Sequence, residues 1–222
     1  MKRYLAFLLF ISMFSSCMTN KRLEIKVAKA YQRKMPKVDL KPSEQINVNA
    51  NGLKFEKGFG TAKKIKSYCL PLIFYWNITQ HKSFQMNDSI ALSFFNSRLN
   101  ARMDELTTTL KGQKIEIELT SVPRSWEVFQ SEDILFFLVA ATTISKQYVE
   151  PEPGKLMLNY SVKNNDIVTK SGTVTIPDWN KKVTNNISST NRVIRDYLGY
   201  YRENMYSMTD KAIDNIIREI KQ

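Results

Sequence analysis

The feature that most constrains this fold is a long amphipathic stretch close to the end of the printed sequence. Between Thr190 and Ile220, apolar residues recur at steps of three and four, which predicts a single long helix with one continuous apolar stripe. Such a stripe has to be buried against other elements of the same domain. The stripe consists of Ile194, Tyr197, Leu198, Tyr201, Met205, Met208, Ala212, Ile216 and Ile220.

A second, shorter helix is predicted from about Asp88 to Gly112, because Asn87, Asp88 and Ser89 are good N-caps and Gly112 is a good helix end. Its apolar line is Phe95, Leu99, Met103, Leu106 and Leu110.

Strands are predicted in several segments. Residues 114–122 alternate apolar and charged side chains, as expected for a strand with one wet face. Residues 65–80 and 134–148 each indicate one long strand, the first with a bend or an edge position at Pro71. Residues 156–162 and 167–176 indicate a hairpin around Asn164-Asn165-Asp166. Residues 46–50 predict a strand that ends at the Asn51-Gly52 turn and leads into Leu53-Lys54-Phe55.

This order of elements favours an α+β fold. We expect a two-layer sandwich in which an antiparallel sheet is covered on one face by two amphipathic helices, one of them long and C-terminal. The domain would comprise residues 46–222, which is long enough to bury one hydrophobic core.

The N-terminus has the layout of a secretory signal over residues 1–16. Lys2 and Arg3 precede the apolar run from Tyr4 to Phe14, which is too short to span a bilayer. The small pair Ser15-Ser16 then precedes Cys17, and this segment resembles the lipobox of bacterial lipoproteins, with Phe14 where Leu is usual. The resemblance implies cleavage before Cys17 and acylation of its thiol, including a palmitate-type chain. The alternatives are a secreted protein cut elsewhere, with Cys17 as a free or paired thiol, and a signal anchor that keeps the segment in place.

Residues 17–45 are predicted to be a basic tether. Between residues 18 and 41, eight Lys and Arg side chains stand against Glu24 and Asp39, so +6 of the formal charge of +12 lies there. Positive charge next to a lipid anchor favours anionic headgroups, at about 1 kcal/mol per basic residue. We therefore expect the bilayer as one partner and no nucleic acid, since a nucleic-acid domain would carry this charge on a folded face.

The sequence contains no convincing catalytic or metal-binding pattern. His81 is the single histidine and lies in a polar stretch, and the thiol of Cys69 lies in an apolar run typical of a buried small residue. Two such ligands twelve positions apart do not indicate a zinc site. We expect no catalytic residues, no metal and no cofactor.

Partner contacts are predicted in the segment from Pro123 to Phe129, interpreted as a loop. Arg124, Trp126 and Phe129 are of types that favour protein interfaces, although the two aromatic residues could instead pack as part of the core. Arg202 lies off the main stripe of the C-terminal helix and is a further contact candidate. Ser89, within Asp88-Ser89-Ile90, is similar to a short sequon for O-glycosylation of exported proteins, and the same residues also fit a helix cap.

The element order and the anchor together are similar to small envelope lipoproteins that assist transport machines, such as lipopolysaccharide-assembly lipoproteins and auxiliary lipoproteins of ABC transporters. This resemblance concerns topology over residues 65–222 and transfers no functional residue. It implies a non-catalytic accessory module with an envelope protein partner. Because Met18 and not Asp follows Cys17, we expect the outer membrane, facing the periplasm. The alternative is a periplasmic binding protein or enzyme for a small or amphiphilic ligand held between sheet and helices.

Overall fold

The computed structural model of this chain describes Ile25, Lys29 and the ranges 38–53, 61–70, 73–85, 88–123, 125–137, 140–178, 182–185 and 190–222. The predicted signal, Cys17 and most of the basic tether lie outside these residues.

Nine strands and three helices lie in the described part of the chain. The strands are β1 (Ile46–Asn49), β2 (Thr61–Leu70), β3 (Ile73–Gln85), β4 (Lys114–Ser121), β5 (Ser125–Phe137), β6 (Ala140–Pro151), β7 (Lys155–Asn164), β8 (Ile167–Pro177) and β9 (Val183–Asn185). The helices are α1 (Asp88–Ala101), α2 (Met103–Leu110) and α3 (Thr190–Lys221).

The strands form two sheets. One has four strands in the order β1-β4-β7-β8, with β1 parallel to β4 and the other pairs antiparallel. The other has five antiparallel strands in the order β2-β3-β5-β6-β9. The predicted α+β sandwich is confirmed, and its strands are divided between two sheets where a single sheet was expected.

Helix α3 connects the two sheets. It contacts β7 and β8 of the four-stranded sheet, β6 and β9 of the five-stranded sheet, and both shorter helices. The stripe predicted from the sequence is the surface that it buries: from Ile194 to Ile216 every member is buried, and Ile220 is half-buried. Each fully buried aliphatic side chain of this kind contributes about 1.5–3 kcal/mol.

The two sheets contribute unequally to the core. The four-stranded sheet buries side chains along most of β4 and β7, as their alternating patterns predict. The five-stranded sheet contributes Trp126, Val128, Val149 and Val183, which all lie toward one end of its strands. We call this the proximal end. The sheet is thus attached to the core by its proximal end.

The prediction of two long, uninterrupted strands was wrong. In place of one strand over residues 65–80, β2 ends at Leu70 and β3 begins at Ile73. In place of one strand over 134–148, β5 ends at Phe137 and β6 begins at Ala140. Each long apolar run is therefore the two arms of a hairpin. Pro71, marked as a bend or an edge position, falls between β2 and β3, whereas Leu138-Val139, between β5 and β6, offered no turn residue. The hairpin predicted around Asn165 is confirmed, with positive φ at Asn165 and Asp166.

The predicted helix over residues 88–112 is interrupted at Arg102, whose φ of −108° and ψ of 7° are not helical. The Arg102 guanidinium binds Glu105 at 2.6 Å and reaches Asp210 and Asp214 of α3 at 3.2 and 2.7 Å. These acidic partners raise its pKa. The interruption thus coincides with a polar connection between the shorter helices and α3.

Strand β1 is confirmed, but its partner differs from the expected hairpin. Ile46 lies opposite Ile115 in a parallel pairing with β4. Lys54 and Phe55, on the far side of the predicted turn, lie outside the described residues.

Gly172 of β8 illustrates how closely α3 is fitted to the four-stranded sheet. A Cβ at this position would lie 2.8 Å from Tyr160 Cε1 and 3.1 Å from Glu219 Oε2. The Tyr160 hydroxyl donates a hydrogen bond to Glu219 of α3. Burial of the hydroxyl has the larger effect and the hydrogen bond to Glu219 the smaller, and together they raise the pKa of Tyr160 to about 12.

We predict that Gly172→Ala lowers the free energy of unfolding by about 1–3 kcal/mol, the usual cost of forcing an extra carbon into a packed site. Chemical denaturation of the variant and of the exposed neighbour Ser171→Ala measures this, and the Ser171 variant should match the wild type. Equal stability of all three proteins would show that α3 is not seated on Tyr160 and Gly172.

Candidate interaction surface

The five-stranded sheet has two different faces. Directly opposite residues of neighbouring strands share a face, so Trp126, Val128 and Val149 define a core face. The residues that alternate with them define what we call the outer face, and those with described side chains are at most half-buried. They are Tyr75, Asn77, Thr79, His81, Phe129, Ser131, Asp133, Leu135, Thr142, Ile144, Lys146 and Tyr148.

An aromatic platform lies on this outer face near the proximal end. The rings of Phe129 and Tyr148 stack with centroids 4.4 Å apart and planes 16° apart, and His81 meets Phe129 edge-on at 4.2 Å. Lys182 Nζ lies 3.6 Å from the centroid of the Tyr148 ring and 3.4 Å from Glu150. The platform therefore combines half-buried aromatic surface with charge at its border, a composition typical of protein interfaces.

A polar cluster lies next to the platform, toward the other end of the sheet. Asp133 Oδ1 accepts hydrogen bonds from the Tyr75 hydroxyl at 2.7 Å and from Asn77 Nδ2 at 2.6 Å. The hydrogen bond from Tyr75 has the larger effect and that from Asn77 the next, and together they lower the pKa of Asp133. The cluster fixes three side chains of neighbouring strands in one arrangement, so this part of the outer face is preorganised.

Trp126 does not belong to this surface, and its assignment as a contact residue is corrected. The segment from residue 125 onward is strand β5, not a loop, and Trp126 is 1% exposed. Its indole stacks on Tyr197 of α3, with centroids 4.7 Å apart and planes 14° apart. Because three positions separate them on a strand, Trp126 and Phe129 point to opposite faces. The core interpretation holds for Trp126, and Phe129 remains on the outer face.

The other predicted site residues are not brought together. Arg202 is half-buried on α3, and Ser89 is exposed at the start of α1. Tyr206, which like Arg202 lies off the main stripe of α3, contacts α1 through Ser97 and Phe94. Cys17 and Arg124 lie outside the described residues. Sequence reasoning missed Tyr148, Lys182 and Asp133, because pairing between distant strands places them beside Phe129.

Core side chains such as Trp126, Tyr197 and Tyr201 pack between the five-stranded sheet and the helices. A surface cleft of about 490 Å³ lies elsewhere, where α2 ends and α3 ends. It is lined by Thr109, Leu110, Lys111, Gly112, Gln113, Asn164, Ile220 and Lys221. The expected ligand cavity between sheet and helices therefore does not correspond to this cleft.

The described residues contain no group of three or more His, Cys, Asp and Glu side chains placed to hold a metal ion. In the same residues, no helix combines the length and apolar character needed to cross a membrane.

Comparison of the chain with protein-family models, with curated proteins and with solved structures finds no match.

We predict that Trp126→Ala lowers the free energy of unfolding by about 3–5 kcal/mol, the usual cost of removing a buried large aromatic side chain. Phe129→Ala should cost about 1 kcal/mol, the scale of a partly exposed aromatic pair. Urea denaturation followed by circular dichroism measures both. A Phe129 variant as unstable as the Trp126 variant would contradict the assignment of the two faces.

We predict that Asp133→Asn lowers the melting temperature at neutral pH, because the amide replaces a carboxylate that its donors stabilise. Since the folded-state pKa is lowered, this stabilisation is present above the unfolded-state pKa of about 3.9 and is lost as pH falls through the folded-state value. The difference between variant and wild type should therefore shrink in acid. Thermal unfolding against pH measures it, with Glu203→Gln on α3 as control for net charge. A difference that does not change with pH would contradict this role.

Proposed function

We propose that this protein is a non-catalytic lipoprotein of the cell envelope that acts as an interaction or accessory module of a transport or assembly complex. In this proposal Cys17 carries the acyl chains, the basic tether lies on anionic headgroups, and the domain faces the periplasm from the outer membrane. The partner is an envelope protein.

The observation that carries the proposal is the outer face of the five-stranded sheet. A sheet in a two-layer fold usually presents mainly polar side chains to solvent. Here Phe129, Tyr148 and His81 form a continuous aromatic group with Lys182 at its border. Aromatic surface of this kind, kept half-buried and rigid, supports binding to another protein, because little side-chain freedom is lost on contact.

The charge distribution supports the membrane part of the proposal. Half of the formal charge of +12 lies in residues 18–41, immediately after Cys17. In the described tether residues, the Val38 amide binds Ser93 Oγ at 2.8 Å and the Lys41 amide binds Asn100 Oδ1 at 2.9 Å. These contacts place the described end of the tether on α1 and not on the outer face of the sheet.

We predict that Phe129→Ala reduces recovery of a specific envelope partner when the full chain is purified from intact membranes after mild crosslinking. Ile167→Ala is the matched control, because Ile167 is an apolar side chain 71% exposed on the four-stranded sheet. Its recovery of partner should equal that of the wild type. Recovery of the chain alone, or equal recovery with both variants, would contradict the proposed interface.

The anchor is tested separately. Labelling of cells with a fatty acid should mark the wild-type chain and leave Cys17→Ala unmarked. An unmarked wild-type chain would refute the lipoprotein proposal while leaving the outer face to be judged by the crosslinking experiment.

A further inference from the structure

The end of the five-stranded sheet that lies opposite the proximal end contains no charged residue. We call it the distal end and define it by the four outermost rows of paired residues, which are Ser67–Leu70 of β2, Ile73–Trp76 of β3, Ile134–Phe137 of β5 and Ala140–Thr143 of β6. These positions carry aliphatic, aromatic or small side chains, and the hydroxyl-bearing residues stand only in the two inner rows: Ser67, Tyr68, Tyr75, Thr142 and Thr143.

Apolar side chains occur on both faces of the distal end. On the core face Phe74 is 48% exposed, although Ile134 in the innermost row is buried, and on the outer face Leu135 is 38% exposed. Ile144, on the outer face one row further in, is 55% exposed. A sheet that packs against one partner protein covers one of its faces, whereas a lipid interface surrounds an inserted hairpin from both sides. Exposure on both faces therefore favours lipid.

The residues next to the distal end follow the order of a membrane interface. Tyr68, Tyr75 and Trp76 occupy its two inner rows, where amphipathic rings would lie at headgroup level. The four rows behind them hold Lys63, Lys64, Lys66 and Lys146 against Glu132 and Asp133, which gives a net positive band. A positive band behind an apolar end is complementary to anionic headgroups.

The dimensions fit shallow insertion. Four rows at about 3.3 Å per residue extend over roughly 10–13 Å, which matches the depth of an interfacial element and is less than one leaflet of hydrocarbon, about 15 Å. Within the described residues β6 pairs with β9 only over Gln147–Val149, so no described strand pairs with the outer edge of β6 at the distal end. Because unpaired backbone groups are costly in hydrocarbon, the edges also favour the interface over deeper insertion.

The tether is long enough for this arrangement, a point that rests on the proposed acylation of Cys17. The twenty-one residues from Cys17 to Val38 can extend over at most about 70 Å. From Trp126 in the core to Phe137, β5 extends over about 36 Å. The anchor and the distal end can therefore reach the same bilayer surface.

We infer that the distal end of the five-stranded sheet is a second membrane contact, which inserts into the interface of an anionic phospholipid bilayer. Acyl chains at Cys17 and the distal end together would hold the domain at two points. This fixes its orientation on the membrane and directs the outer face toward a partner in a defined way.

Trp76 provides the test, because it lies in the distal end next to Phe136, at a ring distance of 6.1 Å. The full chain, as processed by cells, is purified and reconstituted into vesicles of phosphatidylethanolamine and phosphatidylglycerol with or without brominated acyl chains. The fluorescence emission of Trp76 is obtained by subtracting the emission of the Trp76→Phe variant from that of the wild type. We expect brominated lipid to quench most of this difference.

Two sets of variants make the test specific. Phe74→Gln, Leu135→Gln and Ile144→Gln together change only exposed positions and should abolish the quenching. Ile167→Gln with Val168→Gln, at positions 71% and 52% exposed on the β7–β8 hairpin, is the matched control and should leave it unchanged.

Trp76 emission that brominated lipid does not change would overturn the inference, as would quenching that survives the triple substitution. If the unquenched protein also forms a discrete oligomer that the triple substitution dissociates, a second copy and not lipid covers the distal end. Failure of the anchor is distinguishable from this result. A chain that lacks acyl mass at Cys17 but is still quenched supports the second contact and refutes the anchor. An acylated chain that is not quenched supports the anchor and refutes the second contact.

Discussion

The burial of the α3 stripe is the interaction on which the rest of this structure depends. One 32-residue helix contacts both sheets and both shorter helices, and most of the core forms along it. Polar contacts set its register, because Arg98 and Arg102 both bind Asp210 and the Tyr160 hydroxyl donates to Glu219. Helix α3 therefore supplies packing surface to both sheets.

A consequence of this arrangement is that the five-stranded sheet is only partly used by the core. Its proximal end packs on α3 through the stack of Trp126 on Tyr197, while its strands continue well beyond that contact. Two parts of the remaining surface stand out, the aromatic platform on the outer face and the uncharged distal end. We assign the aromatic platform to a protein partner and the distal end to the bilayer. The basic tether is consistent with both assignments.

The sequence predicted the elements whose pattern is local and regular. The period of α3, the alternation of β4 and the turn at Asn165-Asp166 each carry their own signal, and all three are confirmed. The hairpins β2–β3 and β5–β6 were missed because apolar residues continue through both connections, and the break at Arg102 was missed because its acidic partners Asp210 and Asp214 lie on a distant helix. The aromatic platform depends on strand pairing across the chain, so only Phe129 could be named beforehand.

The claim that the five-stranded sheet is held by one end is tested most directly by hydrogen exchange of the full chain in detergent, without a bilayer. Amides of α3, β4 and β7 should exchange slowest, and those of residues 73–77 and 133–137 should exchange markedly faster than the proximal rows of the same strands, because hydrogen-bonded strands without core packing open locally. Equal protection along the whole length of β3 and β5 would contradict the account.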